Sequence, residues 1–125
     1  MRESGEMYLE TILRLSQKMD KVRSIDIADE MGYSKPSISR AMRILKENGF
    51  VSIDSLGAVT LTEKGRASAE KTYERHRVLT SLFIGLGISE EVAADDACKI
   101  EHVISDETFD AIKHHIISKK GGLPE

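Results

Sequence analysis

This 125-residue chain has one cysteine, Cys98, no tryptophan, and an aromatic content of only 5%. One cysteine cannot close a disulfide within the chain, so a reducing, cytoplasmic setting is expected. With so few aromatics the core must come from Ile, Leu, Val, Met and Ala, a composition that suits packed helices. No long hydrophobic run is present either. The longest nearly apolar stretch, residues 78–88, is broken by Thr80, Ser81, Gly85 and Gly87 and is far too short to span a bilayer, so no membrane partner is expected. The first residues are charged and lack an apolar segment, which argues against a secretory signal. What is present, 40% hydrophobic and 31% charged residues, describes an ordinary folded protein of one domain or two small ones sharing helices.

The formal net charge of −3 hides an asymmetry. Residues 34–48 hold Lys35, Arg40, Arg43 and Lys46 against one acid, Glu47. Residues 89–110 hold Glu90, Glu91, Asp95, Asp96, Glu101, Asp106, Glu107 and Asp110 against Lys99 alone. Local charge decides partners here, and the chain has one basic and one acidic element.

Helical periodicity predicts a first helix over 3–18, with Met7, Leu9, Ile12, Leu13 and Leu15 as its apolar stripe. Ser24 is expected to cap a second helix ending at Gly32, and Ser34 a third, with Pro36 in its first turn, ending near Asn48-Gly49. Residues 50–54 and 58–62 alternate with period two around Ser55-Leu-Gly57, a β-hairpin. Helical period returns over 63–84, and Ser89 and Ser105 cap helices expected near 90–103 and 106–119; the tail from Gly121 reads as frayed. The order helix, helix, turn, helix, hairpin is a winged helix-turn-helix, with Ile25, Ala28, Met31, Ile38, Ala41 and Leu45 as the core between its two crossing helices.

The third helix divides by face. Ile38, Ala41, Met42 and Leu45 point inward, while Ser34, Lys35, Pro36, Ser37, Ser39, Arg40 and Arg43 cap it or lie on the other sides. Hydroxyls and a helix N-terminus suit phosphates, and Arg40 can reach a base edge, most naturally guanine O6/N7, in the major groove of double-stranded DNA. Lys64 and Arg66, beside the wing, could add backbone contacts. The alternative is a solvated amphipathic helix in a protein-interaction module.

A second constellation carries different chemistry. In Asp96-Ala-Cys-Lys-Ile-Glu-His-Val, the offsets of Cys98, Glu101 and His102 place a thiol, a carboxylate and an imidazole on one helical face. All three are metal ligands. Met7 and Glu10, in Glu6-Met-Tyr-Leu-Glu10, stand three apart on the first helix and offer a thioether and a carboxylate, and His76 lies on the long helix expected to pack between. By spacing alone, a structural cysteine beside a solvated Glu–His pair fits equally well. His114 and His115 read as solvated, and Tyr8 and Tyr33 as packing residues, with Tyr33 placed to touch a phosphate.

These pieces resemble the metal-dependent repressors that include the diphtheria toxin repressor and the manganese transport regulator. The resemblance rests on Glu6-Met-Tyr-Leu-Glu-Thr-Ile, Ser34-Lys-Pro-Ser-Ile-Ser, Leu61-Thr-Glu-Lys-Gly, Glu74-Arg-His-Arg and Asp96-Ala-Cys-Lys-Ile-Glu-His-Val-Ile-Ser-Asp-Glu, and covers residues 3 to about 118. It implies a mainly α protein, with a winged helix-turn-helix DNA-binding domain over 1–62 followed by an α-helical metal-binding and dimerisation domain over 63–125. It further implies a homodimer that takes a divalent metal as co-repressor, binds operator DNA and controls metal-uptake genes, with no enzymatic role. Met7, Cys98, Glu101 and His102 match the primary metal site of the iron-responsive branch. His76 matches a ligand of both branches, and Glu10 a carboxylate ligand of the manganese branch. Thr80 and Ala94 stand where the iron branch's ancillary site has Glu and His, and that branch's SH3-like domain has no counterpart in this sequence. A second site of the iron kind is therefore not expected, whereas His76 and Glu10 leave one of the manganese kind open.

The soft donors Cys98 and Met7 favour Fe²⁺, Co²⁺, Ni²⁺ or Zn²⁺ over Mn²⁺, and cellular availability points to Fe²⁺ with Mn²⁺ as the alternative. Leu79, Leu82, Phe83 and Ile84 are the expected dimer contacts. Two rivals remain at this level: a thiol-redox regulator acting through Cys98 with His102, and a small metalloenzyme using Glu101 as base.

Overall fold

In a computed structural model the chain folds into two compact units, residues Met1–Glu70 and Lys71–Glu125. The structure describes residues 3–120, and side chains over 5–118; the expected frayed tail lies outside the described residues.

The first unit contains α1 (Glu3–Ser16), β1 (Val22–Arg23), α2 (Ser24–Met31), α3 (Lys35–Glu47), β2 (Val51–Ile53), β3 (Ala58–Leu61) and the start of α4 (Glu63–Gly85). Leu9, Ile12 and Leu13 of α1, Ile27 and Ala28 of α2, and Ile38, Met42 and Leu45 of α3 are buried. Ile12, Ile27, Ile38 and Met42 are at most 1% exposed, and each contributes about 1.5–3 kcal/mol by leaving water. Ile25, expected in this core, is 45% exposed, and Ile27 takes its place. An eight-residue helix carries too few turns for its pattern to fix which isoleucine faces inward. Ala41 and Met31 are only partly buried.

Caps follow local chemistry. Ser34 caps α3, accepting from the Ser37 N–H, and Gly32 ends α2 with φ of 71°. Ser24 does not cap α2: Arg23 is the N-cap, and its N–H donates to the Asp26 carboxylate three residues on (2.9 Å). The reason is tertiary. Arg23 belongs to β1, a strand without sequence signal, whose residues Val22 and Arg23 pair antiparallel with Val59 and Ala58. The sheet is ordered β1-β3-β2, and the wing is the β2–β3 hairpin. At its tip the Asp54 carboxylate accepts from the N–H groups of Leu56 and Ala58, both at 2.9 Å, and Gly57 takes φ of 86°.

The start of α4 is fastened to this unit. Thr62 Oγ1 accepts from the Gly65 N–H and donates to the Gly49 carbonyl, and Lys64 Nζ donates to the Asn48 carbonyl. At Gly65 a Cβ would sit 2.0 Å from the Phe50 carbonyl oxygen, so only glycine allows this approach.

The second unit holds the rest of α4, α5 (Glu90–Ile100) and α6 (Asp106–Lys120). Ser89 and Ser105 cap α5 and the start of α6 as expected, accepting from the N–H groups of Val92 and Thr108. Val78, Phe109 and Ile116 form the core, with Leu82, Ile104 and Ile112 packed on it. Leu79, expected at a dimer contact, is 1% exposed in the single chain and is a core residue instead. The helix expected over 90–103 stops at Ile100. Glu101 keeps helical angles as the C-cap, and the chain turns through residues 101–104.

Candidate metal centre and nucleic-acid interface

In the second unit, residues distant in sequence converge on Glu101. Its side chain is fully shielded from solvent, and each carboxylate oxygen faces one imidazole: His76 Nδ1 lies 3.1 Å from Oε2, and His102 Nε2 lies 3.3 Å from Oε1. α4 supplies His76. Glu101 and His102 come from the turn that ends α5. An ionised carboxylate held out of water requires a compensating charge or strong donors. His76 Nδ1 provides one such partner, on Oε2, whereas Oε1 has no hydrogen-bond partner among the described residues although His102 Nε2 is 3.3 Å away, so the carboxylate is left with a buried oxygen that a cation would satisfy.

The donor set fits a divalent transition ion. Oxygen and imidazole nitrogen suit Mn²⁺, Fe²⁺ and Zn²⁺ alike. Neighbouring ligands around an ion with bonds of about 2.1 Å stand roughly 3 Å apart, the separations found between Glu101 and its two histidines. Cys98 lies one turn earlier on α5 and is exposed, whereas the imidazole of His102 is 1% exposed. The structure thus brings together His76, Glu101 and His102, while Cys98 is an exposed residue. Met7 and Glu10 belong to the first unit, on α1, where Glu10 is buried and Met7 partly so. His114 and His115 are exposed, as expected.

Arg75, the residue before His76, is a functional candidate that reading the sequence did not single out. It is only 8% exposed. Its Nη1 donates to the carbonyls of Glu101 (3.3 Å) and Ile104 (2.7 Å), Nη2 pairs with the Asp106 carboxylate, and the guanidinium lies 5.4 Å from the Phe109 ring centre. A signal for it exists: Thr72, Arg75, Val78 and Leu79 form the buried stripe of α4, and an arginine within such a stripe is rarely without purpose. Lys71 and Arg75 hold the Asp106 carboxyl below the usual carboxylate range.

In the first unit, Ser34, Lys35, Pro36, Ser39, Arg40 and Arg43 are exposed along α3, and Ser37 is partly so. The hydroxyls of Ser34 and Ser37 meet at 2.9 Å at the N-terminus of the helix. Arg43 makes a long, exposed pair with Glu47 (4.0 Å), worth little in water. The exposed face is therefore positively charged and N-capped, suited to phosphate and base contacts. Lys64, expected near DNA, is engaged within the fold, with Nζ 4.3 Å from the Phe50 ring centre as well as on the Asn48 carbonyl. Tyr33 meets Tyr8 edge-on, centroids 6.3 Å apart, and is 46% exposed. Burial, and then the neighbouring Tyr33, raises the Tyr8 pKa above its usual value.

Comparisons with known proteins point the same way. A family model described as the iron dependent repressor N-terminal DNA binding domain matches residues 1–59, and one described as the iron dependent repressor metal binding and dimerisation domain matches residues 62–117. The chain is 32% identical over 112 residues to the transcriptional regulator MntR of Escherichia coli, covering 90% of this chain and 72% of that protein. It is 32% identical over 108 residues to the diphtheria toxin repressor of Corynebacterium diphtheriae, covering 84% of this chain and 47% of that one. A solved manganese-dependent transcriptional repressor in complex with manganese superimposes with a TM-score of 0.83 at 32% identity, over 90% of this chain and 52% of the other. The chain spans about half the length of that repressor.

Proposed function

Since the chain belongs to the iron dependent repressor family, we propose that it is a DNA-binding transcriptional repressor activated by a divalent metal, iron or manganese. The observation that carries this reading is the buried Glu101 carboxylate between His76 and His102, a donor set without evident purpose in a chain that binds no cation. On the resemblance alone, the ligand set extends to Met7, Glu10 and Cys98.

When bound, the ion supplies two positive charges and a preferred ligand arrangement. Glu101 contributes the anionic donor, and His76 and His102 the neutral ones. On the resemblance, Met7 and Glu10 would add donors from α1, and with it from the reading head. The chain then populates a narrower set of head orientations, and DNA selects among fewer alternatives. Because such coupling is reciprocal, DNA tightens metal binding by the same factor. Ser34, Lys35, Pro36, Ser37, Ser39, Arg40 and Arg43 make the DNA contacts, with Arg40 as the base reader. A homodimer places two heads on one duplex. Exposed apolar side chains of the second unit, Ile84, Leu86, Val92 and Val103, offer surface for it. No helix among the described residues is long and apolar enough to cross a membrane.

Iron is the preferred ion if Cys98 ligates, because its thiolate is the softest donor in the set; without the sulfur donors Cys98 and Met7 the remaining O/N donors suit manganese. The thiol-redox alternative gains nothing, since Cys98 is the single cysteine and the chain offers no second thiol to resolve an oxidised one. The relatives named above are transcriptional regulators, and nothing favours an enzyme.

The test is selection of bound duplexes from a random pool with Fe²⁺ (anaerobic) or Mn²⁺ present, followed by mobility shift of the selected duplex. Binding that is lost with chelator and restored by either ion is expected. Equal binding with chelator and with metal overturns the metal switch.

A further inference from the structure

We infer that Arg75 is a positioning residue for the metal centre: with Asp106, it clamps the turn that presents Glu101 and His102, so that the ligands stand preorganised before any ion arrives. The inference rests on the metal-responsive reading of that centre.

The last carbonyls of a helix have no partner within it and carry the negative end of its dipole. Just past the end of α5, the carbonyls of its C-cap Glu101 and of Ile104 meet a buried guanidinium. Nη1 takes the carbonyl oxygens of Glu101 and Ile104 together, which fixes the turn over 101–104 from both ends. Nη2 is held by Asp106, at the start of α6, which Lys71 also contacts at 3.3 Å. Arg75 and His76 are consecutive on α4. One grips the backbone of Glu101 and the other its carboxylate, so a single helix fixes both the position and the rotamer of the central ligand. Groups that orient ligands in this way typically change metal affinity 10- to 100-fold when altered.

Charge makes the arrangement informative. A guanidinium beside a cation site opposes binding unless it is neutralised. Arg75 is turned onto two carbonyls and an aspartate, which spend its charge on the backbone. Lysine would keep the charge but offers one nitrogen where arginine uses two, so it cannot hold the carbonyl pair and Asp106 in the same geometry.

The experiment uses the full chain, with Co²⁺ as probe. Affinity is read by competition with a chromophoric chelator, coordination by the visible absorption of bound Co²⁺, and stability by thermal unfolding without metal. R75K and D106N are each expected to weaken Co²⁺ binding about 10-fold or more and to alter the Co²⁺ spectrum. The double variant is expected to lose less than the product of the two, because both act through one clamp. I116A, which opens a cavity in the core on which Ile104 packs but removes none of the hydrogen bonds of the clamp, is the stability control; it is expected to lower the melting temperature at least as much as R75K, yet keep Co²⁺ affinity within twofold of wild type. R75K affinity within twofold of wild type overturns the inference, as does an I116A loss of affinity equal to that of R75K. Wild type that binds no Co²⁺ overturns it together with the metal-responsive reading, whereas wild type that binds Co²⁺ with R75K unimpaired overturns the inference alone.

Discussion

Replacing Gly65 by alanine sets two effects of opposite sign against each other. Gly65 lies in the first turn of α4, where alanine is favoured over glycine by about 1 kcal/mol on helix propensity. Its added Cβ, however, would stand 2.0 Å from the Phe50 carbonyl oxygen and 3.3 Å from Leu61 Cδ2. The leucine tip can turn aside. The carbonyl cannot, because it accepts the Thr62 N–H at 3.1 Å while the Phe50 N–H is bound to the Leu45 carbonyl at 2.9 Å. Restoring ordinary contact means parting α4 from this junction by more than 1 Å. Forcing a group into a packed site costs about 1–3 kcal/mol, and losing the Thr62 hydrogen bond about 1 kcal/mol more. Net destabilisation of about 1–3 kcal/mol is therefore expected, large against the marginal stability of small domains. Urea unfolding followed by circular dichroism reads it as a lower midpoint at unchanged slope. A G65A chain as stable as wild type, or more so, would mean that propensity alone operates and that the close approach is not present in solution.

Other consequences are equally direct. The Asp106 carboxyl is harder to protonate folded than unfolded because of Lys71 and Arg75, so its stabilisation is complete above the ordinary aspartate value of 3.8 and is lost as pH falls further; wild type should lose thermal stability more steeply than D106N below that pH, and parallel curves would refute the ion cluster. C98E is expected to shift preference from Fe²⁺ toward Mn²⁺ in competition titrations, and unchanged relative affinities would remove Cys98 from the ligand set. R40A should relax sequence discrimination by about 1–3 kcal/mol at one base pair, whereas a uniform loss across sequences would make Arg40 a phosphate contact.

Much of this molecule is legible in its sequence, for reasons that differ by element. Ser34, Ser89 and Ser105 mark helix starts because capping is chemistry within one turn, and Gly32 and Gly49 mark stops because both take positive φ. The wing shows as period-two alternation. What is not legible depends on partners far along the chain. Strand β1 has two residues and exists only through its pairing with β3. The end of α5 at Ile100 goes with the turn that Arg75 holds from a residue 26 positions away. The convergence of His76 on Glu101 likewise spans 25 positions, and the resemblance, rather than any spacing, pointed to His76 as a ligand. The exposure of Cys98 beside buried Glu101 was also hidden, since three residues at helical offsets need not share one environment where the helix ends.

The most direct test compares wild type and Glu101→Gln for affinity to the selected duplex, by fluorescence anisotropy, with saturating Mn²⁺ and with chelator. The glutamine keeps the shape of the buried side chain and removes its charge. Wild type should bind DNA at least tenfold more tightly with metal, within the ordinary range of coupling between sites, while E101Q should bind at the chelated wild-type level under both conditions. An E101Q chain that responds to metal as wild type does would contradict a switch centred on Glu101.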